Sequence, residues 1–216
     1  MKLIGMLTSP YTRRVAISLT EMGLEFEHVP ISVFSHLAEF KALNPVVRAP
    51  TLFLDDQTML TDSHVIIEYF DRADRSRSLW PESDADLRAA ASVLGMAQTT
   101  CDKTVQLVYE RELRPAEKQF ADWIDRVTGQ VNAACEQLES LVEDAPLWLE
   151  ADRLNMAGIT LSVVCTFMQN RIPDIWERGS FDKLNAFRES AEALPTFRRW
   201  PHASLAAPLA HAPLWP

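Results

Sequence analysis

The chain has 216 residues, 47% hydrophobic and 24% charged, which suits one compact unit or two small ones and excludes disordered and fibrous classes. Its 30 acidic residues outnumber its 21 basic ones, and the formal net charge of −9 provides no basic field to attract nucleic acid. There is neither an apolar run of about 18 residues nor a signal-peptide pattern, so we expect a cytoplasmic protein with no membrane partner.

The first part of the chain alternates short β-like runs with helical patterns. This pattern predicts a β-α-β-α-β-β-α unit over residues 1–76. The predicted strands are residues 3–7, 26–31, 51–54 and 59–60, and the predicted helices are residues 10–22, 35–42 and 63–74.

Strand signals vanish from Ser83 onward, and apolar residues recur at helical spacing from Leu87 to Cys101. We therefore expect an all-helical domain over residues 83–200, joined to the first domain by a linker at 77–82 that contains Pro81. The tail at 201–216 carries four prolines and is expected to be extended.

The three cysteines, Cys101, Cys135 and Cys165, are at least 30 residues apart in the sequence. That spacing excludes a CxxC redox motif and a close-spaced zinc site. We expect each to be a small core residue and expect no metal cofactor.

Ser9 is the first candidate for chemistry, because it lies between a predicted strand and a helix that starts at Pro10. A serine there caps the helix by accepting a backbone N–H. The same position favours a bound anion such as a thiolate, to which Ser9 would donate a hydrogen bond. The local sequence leaves both roles open.

Two further candidates precede the third predicted strand and the third predicted helix. Pro50 starts a strand either as an ordinary trans proline or after a cis bond that exposes the backbone of Ala49. Asp62 and Ser63 begin a helix, where they cap it and would also bind the carboxylate and ammonium groups of a ligand.

In this order and at these separations, three segments resemble the cytosolic glutathione transferase family, most closely its serine-type bacterial members. The segments are SPYTRRV (9–15), NPVVRAPTL (44–52) and LTDS (60–63) followed by IIEY (66–69). The resemblance covers essentially the whole chain. It implies a thioredoxin-like domain that binds glutathione, an all-helical C-terminal domain, and a homodimer.

The resemblance also implies roles for individual residues. Ser9 matches the serine that hydrogen-bonds the glutathione sulfur and favours the nucleophilic thiolate. Ala49, before the position of the family's cis-proline Pro50, would pair its backbone with the cysteinyl part of glutathione.

At the other end of the ligand, Asp62 and Ser63 match the acidic-serine pair that holds the γ-glutamyl group. Arg48 stands where a basic residue often reaches the glycyl carboxylate, although a solvated surface arginine is equally consistent with the sequence.

Four residues are candidates for the pocket of the second substrate, namely Tyr11, Phe34, Met96 and Thr100. For the helix residues among them, ordinary packing between helices is the alternative. The family's helix-start box departs here at Asn155 and Gly158, since Gly158 supplies no reciprocal carboxylate and glycine weakens a helix.

The resulting hypothesis is an enzyme that adds the glutathione thiolate to a small, apolar electrophile in detoxification or catabolism. A non-catalytic interaction protein with the acidic helical half as its docking surface is the first alternative. A glutathione-dependent reductase or peroxidase is the second. The stretch Ser9-Pro10-Tyr11 lacks the serine-rich loop of maleylacetoacetate isomerases, so that activity is not inferred.

Overall fold

The computed structural model describes residues 1–202, which divide into two units. One unit comprises Met1–Leu79 together with the described chain from Pro195 onward, and the other comprises Trp80–Leu194. The predicted helical domain extended to residue 200, so its last few residues lie in the first unit instead. Of the predicted tail at 201–216, all but Pro201 and His202 lies outside the described residues.

The first unit has the predicted β-α-β-α-β-β-α order. Its elements are β1 (Lys2–Ile4), α1 (Pro10–Glu21), β2 (Glu27–Val29), α2 (Leu37–Leu43), β3 (Thr51–Phe53), β4 (Met59–Thr61) and α3 (Ser63–Ala73). The remaining elements are α4 (Asp84–Glu112), α5 (Ala121–Leu141), β5 (Trp148–Glu150), β6 (Arg153–Leu154), α6 (Met156–Arg171), α7 (Pro173–Arg178), α8 (Asp182–Glu192) and α9 (Pro195–Arg199).

The four strands of the first unit form one sheet in the order β2-β1-β3-β4. Strand β1 is parallel to β2 and antiparallel to β3, and β3 is antiparallel to β4. Leu3 lies opposite Leu52 and both are fully buried, so the register places apolar side chains in the core. The first strand ends earlier than predicted because Gly5 adopts a φ of 140°, outside the strand conformation.

Helix α9 and Trp200 belong to the first unit, where they pack against α1 and β2. The Trp200 carbonyl accepts a hydrogen bond from Nε of the fully buried Arg13 at 2.8 Å, and the indole N–H donates to Oγ1 of Thr20 at 2.8 Å. The indole ring also stacks on Phe26 and meets the ring of His28 edge to face.

The second unit is built around α6, which packs against α4 and α8. Every residue of α6 from Met156 to Met168 is buried. The sequence predicted only helices here, but strands β5 and β6 form a small antiparallel hairpin. Neither strand contains a β-branched residue, whereas each strand of the first unit does, which explains why the sequence did not reveal them.

The start of α6 is held by Asn155, a fully buried cap. Its side-chain oxygen accepts the Gly158 N–H at 2.9 Å, and its amide nitrogen donates to the carbonyl of Pro146. A Cβ on Gly158 would overlap the carbonyl oxygen of Leu147 and lie 3.0 Å from a methyl carbon of Leu154. Glycine is therefore required at this close approach, and the expected weakness of the helix start is replaced by a packing role.

All three cysteines are free thiols in the buried core, as predicted. Burial, reinforced by the charges of Glu136 and Glu139, raises the pKa of Cys135 to about 12. Burial also raises the pKa of Cys165 well above its ordinary value. Such thiols are not nucleophiles at neutral pH. No helix within residues 1–202 combines the length and apolar character needed to cross a membrane.

Candidate functional site

Ser9 caps the first turn of α1. It has an extended backbone (φ −77°, ψ 122°), Pro10 follows at the first helical position, and the Thr12 N–H donates to the Ser9 hydroxyl at 3.4 Å. This is a long hydrogen bond, and Ser9 is only partly buried. Its hydroxyl hydrogen is not used in the capping bond, because the oxygen acts there as acceptor. Ser9 is thus able to donate to an anion at the positive end of the helix.

The first turn of α1 and the residues before Pro50 meet at Gly5. A Cβ on Gly5 would lie 2.6 Å from Thr12 Oγ1 and 3.2 Å from the Ala49 Cβ, and the φ of 140° is itself suited to glycine. Glycine therefore permits the end of β1, the start of α1 and the turn at Ala49 to approach one another. The fold thus brings the first and second predicted segments together.

The peptide bond between Ala49 and Pro50 is cis. The Ala49 side chain packs on a buried apolar cluster made by Ile4, Ile31 and Phe40. Because the methyl group faces this cluster, the peptide group is what Ala49 contributes to the surface of the unit. Within residues 1–202, neither the N–H nor the C=O of Ala49 takes part in a hydrogen bond.

Asp62 caps α3 by accepting the His64 N–H at 2.9 Å, with its own backbone at a φ of 72°. Its second carboxylate oxygen accepts a hydrogen bond from Arg48 at 3.0 Å. Partial burial alone would raise the pKa of Asp62, but the hydrogen bonds from Arg48 and His64 and the Arg48 charge hold that pKa below its usual value. Asp62 is consequently ionised at neutral pH.

Arg48 therefore faces Asp62, where the resemblance had implied a direct contact with a glycyl carboxylate. Its guanidinium also lies 6.0 Å from the centre of the Tyr11 ring, within cation–π range. Both members of the ion pair are about half exposed, so the pair is open to exchange with a charged ligand.

Ser63 is buried at the first position of α3, and its hydroxyl accepts a hydrogen bond from Arg14 at 3.3 Å. Arg14 lies on α1 and is itself buried. The contact places a cationic side chain beneath the N-terminus of α3, where it adds to the attraction for a carboxylate. It also joins the third predicted segment to the first.

The proposed pocket residues fall in different parts of the fold. Tyr11 is in the first turn of α1, and Phe34 follows β2, with its N–H bonded to the Ser32 hydroxyl at 3.1 Å. Met96 and Thr100 lie on α4 of the second unit. Thr100 is fully buried and its hydroxyl donates to the Met96 carbonyl at 2.8 Å, which favours a packing role for this residue.

Sequence reasoning gave no role to Arg14, Asn44 or Thr51, which the structure places next to the candidate residues. Arg14 follows another arginine and precedes apolar residues on α1. Those apolar neighbours were the signal in the sequence that its side chain is buried. Asn44 and Thr51 lay inside the recognised segment 44–52 without any chemical feature that singled them out. In residues 1–202, no group of three or more histidine, cysteine or acidic side chains is placed to hold a metal ion.

A family model described as "Glutathione S-transferase, N-terminal domain" matches residues 3–78, the range that contains all three segments of the site. Residues 3–78 therefore form an N-terminal domain of the glutathione S-transferase family. An uncharacterised GST-like protein of Escherichia coli, YibF, is 27% identical over 174 residues, covering 79% of this chain and 83% of the relative.

Similarity also extends along most of the chain. A maleylacetoacetate isomerase of Pseudomonas aeruginosa is 29% identical over 210 residues, covering 92% of this chain and 94% of its own. The crystal structure of a glutathione S-transferase from Methylobacterium radiotolerans, in complex with glutathione sulfonate, superposes with a TM-score of 0.82 at 25% identity. That match covers 95% of this chain and 97% of the other. The glutathione transferase fold that we predicted for this chain is thereby confirmed.

Proposed function

We propose that this protein is a serine-type glutathione transferase that conjugates the glutathione thiolate to small, apolar electrophiles. Ser9 donates a hydrogen bond to the sulfur and lowers the pKa of the thiol, which raises the fraction of nucleophile at neutral pH. The site also holds the two reactants together, which supplies the entropic part of the rate enhancement.

The observation that carries the proposal is the convergence of three polar segments at one place. Tyr11, two residues after Ser9, lies beside Arg48, and Arg48 is hydrogen-bonded to Asp62. Arg14 from the same helix as Tyr11 reaches Ser63. A peptide-like ligand bound here would contact the Ser9 hydroxyl, the backbone of Ala49 and the carboxylate of Asp62.

Glutathione is the substrate that fits these groups. Its γ-glutamyl ammonium would pair with the ionised Asp62, and its γ-glutamyl carboxylate would lie at the start of α3 near Ser63 and Arg14. The cysteinyl peptide group would bond to Ala49. Arg48 would leave its pair with Asp62 only if the glycyl carboxylate competes successfully for it.

The second substrate is proposed to be apolar, with Tyr11 and Phe34 of the first unit as contact residues. We also propose a homodimer. Three large apolar side chains of the first unit are exposed, Met59 on the edge strand β4 at 39%, and Val65 at 49% and Tyr69 at 44% on α3. Val65 and Tyr69 are four residues apart on α3 and so share one face. Sedimentation of the purified protein would test the assembly.

A conjugation assay with glutathione and a chromogenic aryl halide tests the catalytic role of Ser9. We expect Ser9→Ala to lower turnover by about 10- to 100-fold, the loss expected for one hydrogen bond to a charged group. Ser83→Ala is the matched control, because Ser83 also caps a helix, α4, by accepting the Asp86 N–H at 3.1 Å. Equal turnover in Ser9→Ala and wild type would leave Ser9 as a cap only.

A glutathione-dependent isomerisation is the second candidate, favoured by the nearly full-length similarity to a maleylacetoacetate isomerase. Isomerisation uses the same thiolate, which adds to the substrate and leaves again. Incubation with maleylacetoacetate separates the two: isomerised product without glutathione consumption favours this candidate. Stable conjugates of other electrophiles favour the transferase.

A further inference from the structure

The peptide group of Ala49 lies between two carbonyls that are each held by a threonine hydroxyl. The Arg48 carbonyl accepts a hydrogen bond from Thr51 Oγ1 at 2.7 Å, and the Pro50 carbonyl accepts one from Thr61 Oγ1 at 3.2 Å. The carbonyl between them, that of Ala49, has no donor among residues 1–202. Pro50 has no N–H to offer. The turn therefore leaves the N–H and C=O of Ala49 without a partner among residues 1–202, while the carbonyls of Arg48 and Pro50 are hydrogen-bonded.

Thr51 is in turn fixed by Asn44. The amide nitrogen of Asn44 donates to Thr51 Oγ1 at 2.8 Å, so the single hydrogen of the hydroxyl is committed to the Arg48 carbonyl. Asn44 and Thr51 are both fully buried, which protects these bonds from competition with water. The direction of both hydrogen bonds is thus set by the amide of Asn44.

Asn44 also holds the chain that leads into the turn. Its side-chain oxygen accepts the Val46 N–H at 3.0 Å, and its carbonyl accepts the Val47 N–H at 2.9 Å. Val47 has a φ of 54°, a conformation that a β-branched residue adopts only when its surroundings impose it. Asn44 supplies that constraint at Val47, two residues before Ala49, whose peptide group a ligand would meet.

We propose that Asn44, Thr51 and Thr61 are positioning residues for glutathione, acting through the backbone of Arg48, Ala49 and Pro50. The inference rests on the proposed function, since it assigns these residues to the same ligand. Without the Thr51 bond, the released carbonyl allows the turn to populate orientations that do not bind. The apparent affinity then falls by the fraction of competent turn, whereas the bound complex keeps its geometry.

Thr51→Val and Thr51→Ser separate the hydroxyl from the packing of the side chain. Valine keeps the shape and the strand preference but has no hydroxyl, while serine keeps the hydroxyl and loses a methyl group. Thr20→Val is the matched control for valine, because the Thr20 hydroxyl also donates to a carbonyl, that of Ala16 at 2.8 Å, and accepts from a side-chain N–H, that of Trp200. Thr20 lies at the far end of α1 from Ser9.

The experiment measures the Kd of reduced glutathione by calorimetry and KM and kcat by conjugation for wild type and the three variants. We expect Thr51→Val to raise Kd and KM by about three- to tenfold, the effect of one lost hydrogen bond, with kcat unchanged. Thr51→Ser should bind within about twofold of wild type. Thr20→Val should be less stable to heat and bind glutathione normally. If Thr51→Val does not fold, Thr61→Val replaces it, because this variant loses only one hydrogen bond of a partly exposed side chain. It should likewise raise Kd and KM and leave kcat unchanged.

Three outcomes overturn the proposal. Normal glutathione binding by Thr51→Val shows that its hydroxyl does not position the site. Equal losses in the valine and serine variants assign the effect to packing. Failure of wild-type protein to bind glutathione overturns the proposed function itself together with this inference, and is distinguished by appearing before any substitution is made.

Discussion

Two helix starts in this molecule, those of α1 and α6, use the same kind of cap and differ in how fully the cap is engaged. Asn155 at α6 is fully buried, and both ends of its amide are bonded, to Gly158 and to Pro146. Ser9 at α1 is partly exposed and makes one long bond of 3.4 Å to Thr12. The buried cap uses its hydrogen-bonding groups inside the protein, whereas the capping bond of Ser9 leaves its hydroxyl hydrogen unused.

A helix cap that only stabilises the fold differs from one that could also bind a ligand in how much of its hydrogen-bonding capacity is used. A cap serves stability to the extent that its hydrogen-bonding capacity is used inside the protein. Unused capacity at the positive end of a helix is what an anion requires. The comparison therefore predicts that substitutions at the two helix starts affect different properties.

The largest effect is expected for Gly158→Ala. Alanine is the better helix former, so propensity alone predicts a gain of up to about 1 kcal/mol. Overlap of the new Cβ with the Leu147 carbonyl should instead lower the free energy of unfolding by about 3 kcal/mol or more. Denaturant unfolding measures the change. A more stable variant would show that the chain at Leu147 moves away easily.

Removal of the buried cap comes next. Asn155→Ala leaves the Gly158 N–H and the Pro146 carbonyl without partners, and we expect a loss of about 2–4 kcal/mol of unfolding free energy. Ser9→Ala should cost less than about 1 kcal/mol, because its capping bond is long. Thermal unfolding of both variants compares the two caps directly, and equal destabilisation would contradict the distinction.

The pH dependence of conjugation sharpens the same contrast. If glutathione binds with a lowered thiol pKa, kcat/KM for the electrophile rises with pH to a plateau. The midpoint of this rise then lies below the reference thiol pKa of about 8.5. We expect Ser9→Ala to move this midpoint upward by about one pH unit, towards the free thiol. Ser83→Ala should leave it in place. A midpoint that is the same in Ser9→Ala and wild type would separate Ser9 from the thiolate.

Asp62 gives the smallest expected effect on stability. Its lowered folded pKa means that its ionised form stabilises the protein above its unfolded pKa of about 3.9, and this contribution is lost as the pH falls through the lower folded value. Wild type and Asp62→Asn should therefore differ in thermal stability at neutral pH and converge in acid. A difference that persists in acid would mean that ionisation of Asp62 is not its source.

The order of elements in the first unit was predictable because apolar periodicity and turn residues mark each strand and helix there. The Ser9-Pro10 cap was read correctly from two residues. In contrast, the hairpin β5–β6 and the packing of Trp200 on α1 were not predictable. The strands of the hairpin contain no β-branched residue, and the contact of Trp200 with Thr20 joins residues 180 positions apart in the sequence.

The candidate site shows the same limit at the level of single residues. The segments that contain Ser9, Ala49 and Asp62 could be recognised, but the pairing of Arg48 with Asp62 depends on side-chain geometry. Gly158 looked like a defect in the sequence, and only the position of the Leu147 carbonyl gives it a reason. Local patterns predict elements, whereas long-range packing decides which polar groups remain for a ligand.

We propose above that the first unit binds glutathione through these segments. Calorimetric titration of the purified protein with reduced glutathione at neutral pH tests this binding without any second substrate. We expect saturable binding at one site per chain, weakened in Thr51→Val and retained in Ser83→Ala. Absence of heat up to millimolar glutathione would rule out this binding and favour a protein that keeps the fold without the transferase activity.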